Sequence, residues 1–468
     1  MGSDLRPGVA DDAYDEDRDR SGVLRPGYAE TLGALDGCDL DGLRRAVARR
    51  LESRGVSFGA DPFVVDPVPR LIPGDEWDPL AAGLAQRARA LNAFLRDAYG
   101  EREIVRAGVV SAEMIERAEG YERDLLGRLP PRGAPAAIIG FDVVRDRDGG
   151  FLVLEDNLRT PSGFAYAVAA RRALDDELPA GMAPSRPVEP VTWAMLDAAL
   201  RDTAPVGRGE PSIMVLTDGP QNVAYFEHEQ VSRRLQVVLG TLGDLVDDGE
   251  RMGVRMPDGT TRPVDVVYRR TDEDRVCGDD GELTDIAKVL LEPWLEGRIG
   301  LVNGFGNGLA DDKLMHGLVE DCIRFYLEEE PLVRSVPTRT IGGRPEVGEL
   351  RELAVKPRNG YGGNGVVIGA HADTRDLERL SRDIESDAAH FIAQPIVALS
   401  RHPTIIDGRL EPRHVDLRAF AFCGDGVVGL LPGGLTRVAF DAGSLVVNSS
   451  QHGGGKDTRI LTAEPHQR

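Results

Sequence analysis

The chain reads as an α/β protein with a helical N-terminal region and a mobile glycine-rich flap lobe. Three observations predict that class. Strand-like apolar runs alternate with helix-period stretches between residues 211 and 295. A hairpin pattern at 138–157 ends in a run of polar side chains, and a lysine at 356 closes a strand that opens into a glycine-rich turn.

A chain of 468 residues is long enough for two to four domains and a substantial core. Apolar content of 41% and charged content of 29% fit a soluble globular enzyme and exclude a disordered or fibrous chain. A formal net charge of -22 sets nucleic acid and anionic membrane surfaces aside as partners, so a polyanionic ligand must find its positive contacts locally. No apolar run approaches the roughly 20 residues that span a bilayer, and the acidic opening residues lack the apolar core of a signal peptide. Cys38, Cys277, Cys322 and Cys423 are scattered without a CxxC, the usage of reduced thiols in a cytoplasmic protein. A monomer and a homodimer fit this composition equally.

Taken in order, residues 1–24 read as a mobile acidic segment. Residues 25–130 are mainly helical: Asp41–Leu51 and Pro79–Tyr99 carry apolar residues at three-and-four spacing. Pro62–Pro73 interrupts them as proline-fixed extended chain, an edge strand. Residues 131–204 hold the hairpin, a helix at Gly163–Leu174, a proline-rich loop at Pro179–Pro190 and a helix at Val191–Arg201. Residues 205–334 alternate a short buried strand after Pro211, a helix at Ala224–Leu239, a strand at Val264–Tyr268 and a helix at Leu283–Leu295, the pattern of a βαβ open sheet. Residues 335–398 form the flap lobe and 399–468 the closing segment.

The hairpin carries the first chemistry. Ile138–Val144 and Phe151–Leu154 flank Arg145-Asp146-Arg147-Asp148-Gly149-Gly150, a sequence with turn chemistry. Glu155 and Asn157 are two apart and so share a strand face, and Asp142 joins them if the register allows. Two carboxylates and a carboxamide make a hard, oxygen-rich site suited to Mg²⁺ with phosphate ligands; a solvated strand end is the alternative.

In the flap, Lys356 precedes Arg358-Asn-Gly-Tyr-Gly-Gly-Asn-Gly365, after which a strand returns. Such a turn offers backbone N–H groups to phosphates, with Lys356 as a point charge. No GxxxxGK[ST] is present and no helix pattern follows, so this is not a Walker A loop. Phe391–Leu399 reads as a strand with a polar break at Gln394, an edge able to hydrogen-bond a purine. Three further polar segments, Pro412–Arg418, Gly433–Ala439 and Val446–Thr458, bring Arg, Thr, Asn, Ser and Lys together as an anion-binding cavity would require.

In order, GFDVV, VLEDNLRTPSGFAYAV, VDVVYRR, LVNGFGNGL, LAVKPRNGYGGNGVVIG, IAQPIVALS, PRHVDLRAFAF, PGGLTRVAF and VVNSSQHGGGKDT extend over roughly 138–460. The set resembles the circularly permuted ATP-grasp type 2 family, related to glutathionylspermidine synthetase. Ordinary ATP-grasp chains place lysine and flap before the acidic metal motif; here the metal motif comes first. His452 stands where the family commonly has glycine, and Arg459 replaces a tryptophan.

The resemblance implies ATP and Mg²⁺, with Asp142, Glu155 and Asn157 as metal ligands. Lys356, Gly360, Gly362, Gly363 and Gly365 would grip nucleotide phosphates, and Gln394 with the backbone around Ile396 would meet the adenine. Arg159, Thr160 and Ser162 would lie at the carboxylate or transferred phosphoryl group. Arg418 and Lys456 would neutralise the acyl phosphate, with Arg437 and Asn448 as second choices; His414 and His452 are minor candidates for an amine base. The implied reaction is ligation of a small-molecule carboxylate, an amino acid or small peptide, to an amine through an acyl phosphate. Kinase-like phosphoryl transfer on the same fold and an inactive ATP-binding scaffold are the alternatives.

Overall fold

The computed structural model describes residues 13–358, 360, 365–424, 426–445, 447 and 453–462. Its centre is a nine-stranded sheet. The strand order is Arg334–Ser335, Phe151–Asn157, Ile138–Arg145, Arg409–Gly424, Leu435–Ala439, Gly453–Ile460 and Val65–Ile72, with Arg401–Ile406 and Val427–Leu430 pairing along Arg409–Gly424. The pairs are antiparallel except at the two edges, where Arg334–Ser335 and Val65–Ile72 lie parallel to their neighbours. Val65–Ile72 contains Pro67 and Pro69, which donate no hydrogen bond and belong on an edge, as the sequence predicts.

Strand alternation gives this sheet two different faces. On one, Phe141, Val143, Leu417, Ala419 and Ala421 pack with Leu84, Leu91 and Phe94 of the long helix Gly74–Ala98. On the other, Phe420, Phe422 and Leu435 pack on Phe164 of the helix Phe164–Glu177. Beyond that helix the second face carries charges in place of apolar side chains, and a cleft opens over it.

A second, four-stranded sheet orders Gly300–Val302, Val266–Arg270, Ile213–Thr217 and Val238–Gly240, all parallel, as the βαβ pattern requires. One element differs. The helix expected over Ala224–Leu239 runs only over Tyr225–Leu235; Gln236 turns left-handed at φ 56 and Val238–Gly240 becomes an edge strand. Three consecutive apolar residues at 237–239 satisfy either period, and the open sheet edge decides.

The flap lobe is a third sheet, Arg339–Thr340, Phe391–Pro395, Leu353–Pro357 and Val367–Ile368, covered by the helix Thr374–Ser386. Leu377, Leu380 and Ile384 meet Leu353 and Val355 in a small core of its own.

Residues 13–24 are not the free tail expected of them. Glu16 is buried and ion-paired to Arg70 and Arg145 at 2.5 and 3.4 Å, and its N–H donates to the Arg401 carbonyl. A single acidic side chain caught between two buried arginines anchors the segment; residues 1–12 lie outside the described residues. Among the described residues no helix is long and apolar enough to cross a membrane.

Candidate active site

The hairpin closes through Asp146, whose Oδ1 accepts from the backbone N–H groups of Asp148 and Gly150, while Gly149 takes a φ of 88. The turn pairs Val143 with Val153, and a bulge between Val143 and Asp142 then shifts the register by one residue, so that Asp142 lies directly opposite Glu155 and Gly140 opposite Asn157. Directly opposed residues share a face, so Asp142, Glu155 and Asn157 project together into the cleft.

Asp142 is not a lone carboxylate. Arg418, opposite it on the next strand, forks onto it with Nε–Oδ1 at 2.7 Å and Nη2–Oδ2 at 2.8 Å, and Arg437 reaches Oδ2 at 2.8 Å. Arg437 also binds Asp416. Burial would raise the Asp142 pKa, but Arg418 and Arg437 outweigh it and hold the carboxyl well below the usual range. Glu155 has a cation of its own: Lys313 Nζ lies 2.8 Å from Oε1 and donates to the Gly360 carbonyl in the flap.

These residues stand where two cavities meet. The first, of about 110 Å³, lies beneath the flap and is lined by Lys356, Lys313, Ala354, Gln394, Ile396 and Leu399. Burial lowers the Lys356 pKa, and Glu155 works against that shift. Gln394 donates through Nε2 to Thr338 Oγ1 at 2.8 Å, and among the described residues its buried Oε1 has no hydrogen-bond partner. The Ile396 N–H is taken by the Glu352 carbonyl at 3.2 Å, so it is not offered to a ligand. Gly360 lines this cavity. Gly365 has φ 72, and a Cβ there would lie 2.6 Å from Pro357 Cγ, so the turn requires glycine. Gly362 and Gly363 lie outside the described residues.

The second cavity, of about 460 Å³, contains Asn157, Arg159, Thr160, Ser162 and Arg418. Arg159 forks onto Asp274 at 2.5 and 2.6 Å, a bond that raises its already high pKa. Ser162 Oγ accepts from Arg270, which also donates to the Pro161 carbonyl at 2.7 Å and pairs with Glu227 at 3.2 Å. Glu227 in turn accepts from the N–H groups of Gly163 and Ala165, fixing the start of the helix that follows. The two cavities share Asp142, Glu155 and Arg437 as their common wall.

Lys456 does not reach this wall. On its strand Gly455 and Asp457 oppose Arg437 and Leu435, which face the cleft, whereas Lys456 opposes Thr436 and points the other way. There it is fully buried, ion-paired to Asp66 and donating to the Val68 and Pro403 carbonyls. A one-residue phase separates the expected role from the observed place. His414, with Nδ1 2.8 Å from the Leu399 carbonyl, and Arg459, paired to Asp457 and Asp175, line neither cavity. Asn448 and His452 lie outside the described residues.

Sequence reading missed Lys313, Asp311 and Arg270. Arg270 sits inside VDVVYRR, and Asp311 and Lys313 just beyond LVNGFGNGL, but only the fold brings them to the cleft. Asp311 accepts from the Leu158 and Arg159 N–H groups at 2.6 and 3.2 Å, and burial raises its pKa to about 6. A carboxyl raised from about 3.9 binds its proton more tightly when folded, so its contribution is present below about pH 4 and lost as pH rises through about 6. Asp311→Asn should therefore flatten the pH dependence of unfolding midpoints between those values, relative to the unmodified chain; an unchanged profile would refute the assignment.

A larger hollow of about 810 Å³ lies at the turn end of the hairpin. Its Arg25 and Arg145 are stacked on Tyr14, and it contains none of the expected site residues.

A model described as circularly permuted ATP-grasp type 2 matches residues 69–439. Among similar proteins, "Putative glutamate–cysteine ligase 2-3" of Frankia alni is 42% identical over 96% of this chain and 54% of its own length. An uncharacterized protein of Mycobacterium tuberculosis is 39% identical over 96% of this chain and 84% of its own. One of Synechocystis is 40% identical over 85% of this chain and 84% of its own. The chain thus spans about half the length of the Frankia relative and most of the other two. With that match over most of its length, the chain belongs to the circularly permuted ATP-grasp type 2 family.

Proposed function

We propose that the chain is an ATP- and Mg²⁺-dependent ligase that joins a carboxylate to an amine through an acyl phosphate. The observation that carries this is the common wall: a small, partly apolar cavity and a larger polar one meet at Asp142, Glu155 and Arg437. A nucleotide in the first would present its terminal phosphate to a substrate in the second. The name carried by the Frankia alni relative, "Putative glutamate–cysteine ligase 2-3", supports the same reaction class.

The donor set fits Mg²⁺. Glu155 and Asn157 share a face, and their carboxylate and carboxamide suit an ion that takes its remaining ligands from phosphate and water, whereas both oxygens of Asp142, opposite Glu155, are held by Arg418 and Arg437. Among the described residues no group of three or more His, Cys, Asp or Glu forms an all-protein cage, which the same ion does not need. Glu155 and Asn157 would hold the ion, which would neutralise phosphate charge when bound.

The chain's own residues divide the remaining work. Lys356 and Lys313 lie where phosphate charge would arrive, Lys356 desolvated and Lys313 held by Glu155. Arg418 and Arg437 face the point of transfer with their carboxylate partners already in place, so they stabilise charge without reorganising. The substrate carboxylate attacks the terminal phosphorus of ATP and ADP leaves. The amine nitrogen then attacks the acyl carbon, phosphate departs, and the amine gives up a proton.

ADP and phosphate release should require a carboxylate and an amine together, measured on the purified protein with Mg²⁺ and a panel of amino acids, peptides and polyamines. Phosphorylation of a hydroxyl acceptor without amide formation would make it a kinase-like enzyme. Failure to bind MgATP in a calorimetric titration would end the proposal.

A further inference from the structure

The larger cavity is two-sided. Its polar side carries Asn222, His228, Arg270 and Asp272; its other side is apolar. That apolar side is built from three separate pieces of chain. Phe58 and Phe63 come from the short hairpin at 57–62 and the residue after it, Tyr166 from the helix Phe164–Glu177, and Leu435 from the central sheet. Val223 closes the edge, and the Val223 carbonyl accepts from the Gly59 N–H at 2.8 Å, tying hairpin and loop together.

The aromatic rings are locked against one another. Phe63 and Tyr166 have centroids 4.9 Å apart, Phe58 and Tyr166 5.9 Å, and Phe226 backs Tyr166 at 5.2 Å. The Tyr166 hydroxyl donates to the Ser57 carbonyl at 2.9 Å, so its polar end is used within the wall. Two glycines make room for this surface. A Cβ on Gly455 would lie 2.8 Å from Phe63 Cζ and 3.2 Å from Leu435 Cδ1; one on Gly163 would lie 2.9 Å from Phe420 Cζ and 3.5 Å from Leu435 Cδ2. Leu435 stands two residues before Arg437 on the same strand face, so the apolar shelf is continuous with the common wall.

A small hydrophilic substrate would leave the open part of this shelf, at Phe58 and Val223, against water, while the polar side facing it suits a polar backbone. We infer, resting on the ligase chemistry proposed above, that one substrate is an amino acid or short peptide bearing an apolar side chain. Its apolar chain lies on Phe58, Phe63, Tyr166 and Leu435 and its polar backbone faces Asn222 and Arg270. Filling an apolar pocket discriminates by roughly 10–200-fold per group added or lost.

The test compares ADP release with matched amino acids and dipeptides carrying leucine or phenylalanine against those carrying serine, glutamate or lysine. Two variants accompany the unmodified chain. Val223→Asp alters a side chain that is 52% exposed, and Phe58→Ser alters one on the partly open hairpin; neither touches the common wall. The expected result is a preference of about tenfold or more in kcat/KM for the apolar set. That preference should shrink in both variants while KM for ATP is unchanged. Equal or better turnover of the polar set overturns the inference and leaves the ligase intact. MgATP binding without turnover of any panel member likewise overturns the inference. Absence of MgATP binding instead removes the ligase proposal beneath it.

Discussion

Glu155→Gln should lower ATP-dependent turnover by about 10²–10³-fold, the scale on which removal of one preorganised electrostatic partner acts. The glutamine keeps size and hydrogen-bonding capacity but loses the charge, and two consequences follow. Lys313, held at 2.8 Å by Glu155 and pulled upward in pKa by it against the effect of burial, loses that counter-charge. The face shared with Asp142 and Asn157 loses its hard anionic oxygen, because Asp142 is already committed to Arg418 and Arg437. Glu155 lies near a strand end with its side chain 22% exposed, so the variant should fold, with circular dichroism and unfolding midpoint close to the unmodified chain. Turnover within a few-fold of the unmodified rate would sink the placement of Glu155 at the reacting phosphate. Chelation of Mg²⁺ should mimic the variant in the unmodified chain and add little to it.

The legibility of this site varied with how local the signal was. Glu155 and Asn157 could be put on one face from spacing alone, because strand period two needs no tertiary information. Asp142 joining them needed the register, which the five-residue turn around Asp146 sets and a bulge between Val143 and Asp142 then shifts by one residue, a step no spacing in the sequence shows. Lys356 was legible for a similar reason: a lysine at a strand end before glycines is a local pattern. Lys313 was not, since the short helix Lys313–His316 has no distinctive spacing, and only packing of the open-sheet lobe against the hairpin carries it to Glu155. Arg418 and Arg437 stand out in the sequence as anion binders; their binding of Asp142 and Asp416 depends on cross-strand neighbours more than 270 and about 20 residues away in the chain. The apolar shelf was invisible because its five side chains come from four distant segments, each of which reads as ordinary core.

Lys456 separates a sequence pattern from a three-dimensional fact, and its substitution tests which governs. Lys456→Met removes the cation from a fully buried pair and leaves Asp66 charged without its partner, a change that costs about 3–5 kcal/mol. Asp66→Leu should cost more than Lys456→Met. Asp66 also accepts from the N–H groups of Val68 at 3.1 Å and Ile405 at 2.8 Å, and those donors would be stranded with the lysine. Urea midpoints should therefore fall in the order unmodified chain, Lys456→Met, Asp66→Leu. Activity should follow a different order. Below its unfolding transition, Lys456→Met should retain kcat and KM for ATP within about threefold, because the ion pair faces the side of the sheet away from both cavities. Arg418→Met, on the cleft face, should lose about 10²-fold or more in kcat. If Lys456→Met unfolds at the same urea concentration as the unmodified chain yet loses turnover as Arg418→Met does, the lysine acts in the cleft and the strand phase observed here does not describe the working enzyme.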